Sequence, residues 1–467
     1  MAKKPSAGGS AGSERIDLAI SGGTALILDD ADTVIADALV AIRRGRIVEV
    51  GPRRRMERRY RARRTIRAEG QLVLPGLINA HTHVAMTLLR GVKDDVELMT
   101  WLTKYMFPLE ARFATREFVR WGALLACWEM IASGTTTFAD GYFFEEEVAK
   151  AADESGLRAF PGQGILDVPT PDAKTAAEGL VRAEALLSGW AGHPRVTPSL
   201  FPHSCYMVGP QTLRETAALA ARYDAPILTH LSESAGELAM VRERYGTTPV
   251  RHLARLNILD GRWTAAHAVV VDEEEIALLA DAGVGVVHCA ESNMKLASGA
   301  APLAKMLAAG IPVGLGTDGA ASNNDLDLFG EMGSVARLHK VVTLDPTAAP
   351  ARQVLRLATR GSAAALHRER ELGSLESGKR ADVIAIDISG PNALPLFDPY
   401  SHLVYSAHAS SIRTTVVEGR VLMENRRVRT LDTAAIARAA SRYGRRISAA
   451  VKPQPSSSPE ASAPKRP

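Results

Sequence analysis

The chain reads as an α/β protein, a (β/α)8 TIM-type barrel with a small β-sandwich domain built from both chain ends. Three observations lead there. Strand-like and helix-like stretches alternate through the middle of the 467 residues, β-rich runs flank that middle on both sides, and histidines recur where the middle strands end. Parallel strands separated by helices pack as layered or closed sheets, and in the closed form reactive groups collect at the C-terminal ends of the strands.

Taken in order, residues 1–14 and 452–467 are Gly/Ser/Ala/Lys- and Pro/Ser-rich. Both are expected as disordered tails, having too little apolar surface to offset the entropy of ordering. The runs IDLAI, TALIL, ALVAI and RIVEV, and later ADVIAID, TTVVEG and RVLMEN, are separated by turn residues and assign 15–73 and 371–432 to the small domain. Between them, over 74–370, the candidate strands are VLPGLINAHTH, TTTFADGY, LRAFPGQGI, VTPSLFPH, APILTHLSE, TAAHAVVV, GVGVVHCAE and IPVGLGTDG. Helical stretches such as TREFVRWGALLACWEMIAS fall between them. Eight such units fit a closed barrel, and a doubly wound open sheet is the competing topology. Residues 433–451 are expected as a C-terminal helix.

Composition narrows the function. Hydrophobic residues make up 46% and charged residues 23% of the chain, which is ordinary globular usage. No apolar run approaches the ~18 residues of a membrane span, and no apolar segment follows the N-terminal lysines as a secretory leader requires. The net charge of +4 is uneven, because Gly51 to Gly70 hold nine arginines against Glu57 and Glu69. The main body is therefore mildly acidic, and RRRMERRYRARR is expected as an exposed loop of the small domain, not as a nucleic-acid footprint. Cys127, Cys205 and Cys289 form no C-x-x-C, which argues against a disulfide framework or thiolate zinc cage and suits a reducing cytoplasm.

The chemistry lies at the strand ends. The first candidate barrel strand ends His81-Thr82-His83, the fourth at His203, the fifth at His230, the sixth at His267 and the last at Asp318. Residues i and i+2 of a strand share a face, so His81 and His83 aim together. Joined by a third imidazole and a carboxylate they compose a nitrogen/oxygen site for a divalent ion, with room for water or substrate. Independent, hydrogen-bonded histidines are the plain alternative, which the strand-end order argues against. Gly314-Leu-Gly316-Thr-Asp-Gly319 matches a dinucleotide fingerprint only in spacing, late in the chain and with Asp318 inside it. Gly373 to Lys379 nearly spells a phosphate loop, but Arg380 stands where Ser or Thr is needed and a strand follows.

The segments PGLINAHTHVAMTLLRG, HLSES, TAAHAV, HCAESNMKLASG and LGTDGAASNN resemble the amidohydrolase superfamily, within it the 5′-methylthioadenosine/S-adenosylhomocysteine deaminases and the related triazine hydrolases. The resemblance runs from about Asp17 to Met423. It implies one divalent metal ion, zinc, held by His81, His83, His230 and Asp318. Binuclear relatives carry a carboxylated lysine where this chain reads VTPSLFPHSCY, so a single ion is expected. By the same resemblance Asp318 acts as base, His267 orients the attacking water and Glu233 protonates the ring as a neutral acid. Glu110 would bind the ribose hydroxyls, His203 would contact purine or sugar, and Trp101, Met106 and Phe107 would wall the pocket.

Read from the residues alone, Glu233 fits equally a first-turn helix acid after Ser232, and Glu110 a surface acid. His288 is expected in or behind the site, His193, His252, His339 and His367 on the surface or in helices, and His402 and His408 outside the barrel. The implied activity is hydrolytic deamination of the 6-amino group of an adenine nucleoside (5′-methylthioadenosine, S-adenosylhomocysteine or adenosine) to the inosine-type product and ammonia. Action on a guanine-like, pterin or triazine heterocycle is the alternative, and a metal-free binding scaffold a remote one. Some relatives that process S-adenosylhomocysteine carry arginines after the third barrel strand, where this chain has only Lys174 between Gln163 and Val181. A neutral 5′ group therefore fits at least as well as homocysteine. The expected partner is a small purine nucleoside, with no nucleic acid and no membrane, and the resemblance implies a homo-oligomer.

Overall fold

The computed structural model describes residues 13–451; residues 1–12 and 452–467, which make up most of the expected tails, lie outside the described residues. Five strands open the chain: β1 (Glu14–Leu26), β2 (Val34–Arg43), β3 (Arg46–Pro52), β4 (Tyr60–Arg67) and β5 (Gln71–Pro75). Eight occupy the middle: β6 (Leu77–Thr82), β7 (Thr135–Tyr142), β8 (Arg158–Ile165), β9 (Ser199–Pro202), β10 (Ile227–Leu231), β11 (Trp263–His267), β12 (Gly285–His288) and β13 (Val313–Leu315). Four follow: β14 (Val383–Asp387), β15 (Ile412–Val417), β16 (Arg420–Glu424) and β17 (Arg427–Val428).

The middle strands pair parallel, each with the next in sequence, as successive helical crossovers require. The crossovers have legible boundaries. Thr115 caps the helix Arg116–Ser133 by accepting from Phe118 N–H, and Gly134, at φ 85°, ends it one residue before β7 begins. β13 then meets β6. Asp318 N–H donates to the His81 carbonyl at 3.0 Å, and buried Asn79 clasps Thr317, accepting its N–H at 2.9 Å and donating to its hydroxyl at 2.8 Å. That seam decides for the barrel over the open sheet. A Cβ on Gly316 would lie 2.8 Å from His81 N, and one on Gly319 3.1 Å from His83 Cβ. Two glycines of the spacing that mimics a dinucleotide fingerprint thus serve the seam, and the third, Gly314, makes room for Ser362, whose Cα would lie 2.6 Å from a Cβ there.

Ile78, Ala80, Phe160, Phe201, Leu228 and Val287 share a buried cluster inside the barrel. Two residues further along the same strand faces, His203 follows Phe201 and His230 follows Leu228. β6 reaches the same level differently. Its pairing with β7 shifts register between Asn79 and Thr82, and such a bulge re-aims side chains, so His81 and His83 face the mouth although Ala80 already faces inward.

The chain ends build one continuous mixed sheet, ordered β17-β16-β15-β14-β5-β1-β2-β3, with β4 also on β1. Leu18, Ile20 and Val40 from one end share a core with Val383, Ala385 and Val416 from the other. The arginine-rich segment corrects its expectation as a loop: it is a helix, Arg53–Arg59, followed by β4. Met56 and Tyr60 bury against Ile16, Ala19, Leu39 and Ala41, which fixes the helix on β1 and β2. Arg53, Arg55, Arg59, Arg64 and Arg67 pair with carboxylates on neighbouring strands and turns, so part of the local charge is offset within the domain. The last helix, Thr433–Val451, lays Tyr443 edge-on against Phe118 at 5.4 Å.

At the end of the barrel away from the histidines, Arg158 opens β8 and ties it to the small sheet. Its Nε stands 3.1 Å from Asp382 Oδ2, its Nη1 donates to the Pro194 carbonyl at 3.0 Å, and each side chain of the pair is 7% exposed. Asp382 Oδ1 also accepts Glu418 N–H at 2.7 Å. Removing one partner strands a buried charge, so Asp382→Ala is expected to lower unfolding free energy by about 3–5 kcal/mol. Urea denaturation with an unchanged slope checks this; a loss below about 1 kcal/mol would show the pair to be replaceable.

Candidate metal centre and active site

Five side chains converge on the barrel mouth. His81 Nε2 and His83 Nε2 lie 3.5 and 3.2 Å from Asp318 Oδ1, and His83 Nε2 is 3.1 Å from His230 Nε2. The ligand atoms of His81, His230, His267 and Asp318 all fall within 4.8 Å of one another. The tightest set therefore includes His267, while His83 is in reach of the same centre through His230 and Asp318. His267 and Asp318 adopt φ of 75° and 61°. Left-handed backbone costs a non-glycine residue of order 1–3 kcal/mol, and such strain gathers at functional sites.

The donor set suits a cation. His83 Nδ1 donates to the Gly141 carbonyl at 2.6 Å and His267 Nδ1 to Asn293 Oδ1 at 2.9 Å, so in the neutral rings each Nε2 is a lone pair facing inward. His81 Nε2 is buried without a hydrogen-bond partner. Burial drops His81 to about 4 and His230 well below its ordinary value. Burial opposes charge on His83 too, but Asp318 raises it to about 9. Although burial favours a neutral carboxyl, the His81 and His83 rings beside it hold Asp318 well below the usual range. Ring nitrogens crowded around one ionised carboxylate call for positive charge at their centre; a proton on His83 supplies one such charge, and a divalent ion bound to the neutral rings would supply it in full.

A cavity opens beside this centre, lined among others by Glu233, Glu110, His203, Trp101, Met106 and Phe107. Glu233 lies just past β10 and outside the helix Ala235–Tyr245, which Ser234 caps by accepting from Glu237 N–H. The first-turn acid is Glu237, whose Oε2 accepts Glu233 N–H at 2.7 Å. The helix-acid alternative thus belongs to Glu237, and Glu233 Oε2 stands 3.9 Å from His267 Nε2. Burial pushes the Glu233 carboxyl up, which favours its neutral form. Glu110 is buried, not a surface acid: Tyr142 donates to its Oε1 at 2.7 Å, and burial, outweighing that bond, raises it to about 7. The His203 ring sits 4.6 Å from that of His230. His288 turns away and meets His339, with their Nε2 atoms 3.0 Å apart.

Sequence reasoning passed over Tyr142, Ser292, Asn293 and Ser322. Ser292 and Ser322 donate to Asp318 Oδ2 at 2.6 and 2.9 Å, and Asn293 holds His267. The available signal was the polar Ser-Asn pair shortly after the strand-end His288.

The sequence model of the amidohydrolase family matches residues 72–422. A 5-methylthioadenosine/S-adenosylhomocysteine deaminase of Syntrophobacter fumaroxidans is 47% identical over 421 residues, covering 90% of this chain and 96% of that protein. Among solved structures, an adenosine deaminase from Xanthomonas campestris with bound zinc superposes with TM-score 0.92 at 38% identity, covering 94% of this chain and all of that one. Atrazine chlorohydrolase of Arthrobacter aurescens, complexed with zinc, gives 0.84 at 28%, covering 91% of this chain and all of that one.

A cation that binds only the folded protein stabilises it by about 2.7 kcal/mol at a hundredfold excess over its dissociation constant. Adding a divalent transition-metal ion to chelator-treated protein is therefore expected to raise the melting temperature, and His230→Ala to lose that rise. A rise of full size in the variant would take His230 out of the centre.

Proposed function

The chain belongs to the amidohydrolase family, and from that premise we propose that it is a zinc-dependent deaminase converting the 6-amino group of an adenine nucleoside to the inosine-type product and ammonia. One observation carries the reading: Glu233 and His267, 3.9 Å apart, stand between the imidazole-carboxylate centre and a cavity holding the buried Glu110. His81, His83, His230 and Asp318 would hold the ion. His267 is left to the reaction because its Nε2 also faces Glu233, on the substrate's side. A divalent ion held by the four ligands would supply Lewis acidity, which can bring the pKa of water from 15.7 to about 7 and so provide a nucleophile at neutral pH.

The side chains do the rest. His267, its Nδ1–H committed to Asn293, accepts a hydrogen bond from the water and orients it toward C6. Asp318 takes the proton released as the C6–O bond forms. Glu233, whose neutral form burial favours, gives its proton to the adjacent ring nitrogen, so the purine builds no negative charge. The proton on Asp318 passes to the amino group, the C6–N bond breaks and ammonia leaves, and the C6 hydroxyl gives up its remaining proton, which restores neutral Glu233, as the C6 carbonyl forms. Glu110 accepts from the ribose hydroxyls, and His203 contacts purine or sugar. A buried carboxylate placed for a diol favours a nucleoside over a bare triazine, and the names of the relatives agree. Among the described residues lining the cavity none is Lys or Arg, so a neutral 5′ group fits better than the charged amino acid of homocysteine. No helix among the described residues is long and apolar enough to cross a membrane. Three buried free thiols support the cytoplasm as the site of action.

Purified enzyme is expected to release ammonia from 5′-methylthioadenosine and adenosine with higher kcat/KM than from S-adenosylhomocysteine. Turnover of a guanine or triazine with no adenine nucleoside would move the assignment to that heterocycle. Glu233→Gln should keep its metal and lose about 100-fold or more in kcat; a near-normal rate removes the acid role. Glu110 titrates near 7 because burial raises it, so it is protonated below that pH and nucleoside KM should climb as pH falls through 7. Tyr142 lowers that value, so Tyr142→Phe should move the climb to higher pH; a KM independent of pH would separate Glu110 from the substrate.

A further inference from the structure

β12 runs between β11, which ends in His267, and β13, which leads to Asp318. The six-residue helix that follows β12, Ala290–Lys295, therefore stands between the two groups. Two consecutive residues of its first turn, both fully buried, reach one each. Ser292 Oγ lies 2.6 Å from Asp318 Oδ2, and with Ser322 Oγ at 2.9 Å it saturates that oxygen. Asp318 Oδ1, which also accepts Gly319 N–H at 2.8 Å, is the oxygen that faces His81 and His83. Asn293 Oδ1 takes the Nδ1–H of His267 at 2.9 Å. A neutral imidazole has one N–H, so whichever nitrogen is held by an acceptor fixes the other as a lone pair.

We propose that Ser292 and Asn293 are the positioning residues of this site: Ser292 selects the oxygen of Asp318 that faces the metal centre, and Asn293 locks His267 as the Nδ1–H tautomer so that Nε2 accepts from the attacking water. For its catalytic arm this rests on the deaminase reading above. One turn of helix thereby sets both partners of the same water, and the strand order puts that turn where it can touch both.

The test separates the two contacts. Ser292→Ala is expected to weaken metal binding about 10–100-fold, the usual effect of removing a group that orients a ligand, read by competition with a chromophoric zinc chelator. Unchanged affinity overturns the role of Ser292. Asn293→Ala should lower kcat about 10–100-fold with KM and metal content unchanged, and Asn293→Asp, whose carboxylate also accepts, should recover most of the loss. A wild-type rate in Asn293→Ala overturns the role of Asn293, as does an Asp variant that is folded and metal-loaded yet as slow as Ala. Nitrogen-15 spectra of the histidine-labelled zinc protein should show His267 as the Nδ1–H tautomer, a population lost in Asn293→Ala; the opposite tautomer in the parent protein also overturns it. If no adenine nucleoside is turned over, the deaminase reading fails, while the chelator competition and the spectra still decide the positioning roles.

Discussion

A single backbone hydrogen bond, from Asp318 N–H to the His81 carbonyl at 3.0 Å, holds the functional side of this molecule together. His81 and His83 belong to the first barrel strand and Asp318 to the last, so in an open sheet at about 4.8 Å per strand they would sit roughly 30 Å apart. Closure makes them neighbours. The seam demands glycine at 316 and 319, where any side chain would strike His81 or His83, and it demands Asn79, whose amide satisfies both the N–H and the hydroxyl of Thr317. Loss of the seam would part His81 and His83 from Asp318, while His230 and His267, on paired strands, would stay together.

The two ends of the barrel divide stability from chemistry. At the end away from the histidines a buried, multiply hydrogen-bonded pair, Arg158 with Asp382, joins the barrel to the small sheet. At the mouth the polar groups are incompletely paired: His81 Nε2 has no hydrogen-bond partner, His83 and His230 bring nitrogens within 3.1 Å, and His267 and Asp318 hold strained backbone. Such arrangements persist only when the surroundings over-determine them. For three of the groups the surroundings are Gly141, Asn293, Ser292 and Ser322, which grip the far side of His83, His267 and Asp318 and leave the near side to the centre.

What the sequence disclosed follows the same line. Histidines at the ends of apolar strands are conspicuous because an interior strand has little other use for them, so His81, His83, His230, His267 and Asp318 could be named in advance. The bulge in β6 could not, because Asn79, Ala80, His81 and Thr82 carry no glycine or proline to mark it. The arginine run looked like a loop because nine like charges mask the pattern beneath them. Met56 and Tyr60 were the only apolar anchors, and their meaning depends on β1 and β2 lying below. Ser292 and Asn293 stayed unread for a similar reason: short polar residues after a strand usually cap a helix, and only the order β11-β12-β13 shows them reaching sideways.

The carboxyl groups around the cavity sort themselves by environment. Burial raises Glu233, and it raises Glu110 to about 7 and Glu237 to about 8. Of these carboxyls Asp318 alone is held low, by the His81 and His83 imidazoles beside it against the upward push of burial. An acid and a base can share one small site only if their affinities for protons are pushed apart. Here the separation comes from position: Asp318 lies among the imidazoles, whereas Glu233 lines the cavity with its Oε2 3.9 Å from His267 Nε2. On the deaminase reading proposed above, proton transfer to the ring and proton removal from water would then run in one event without the two carboxyls exchanging roles. The geometry that permits this is set by the strand on which each group was placed, before any substrate arrives.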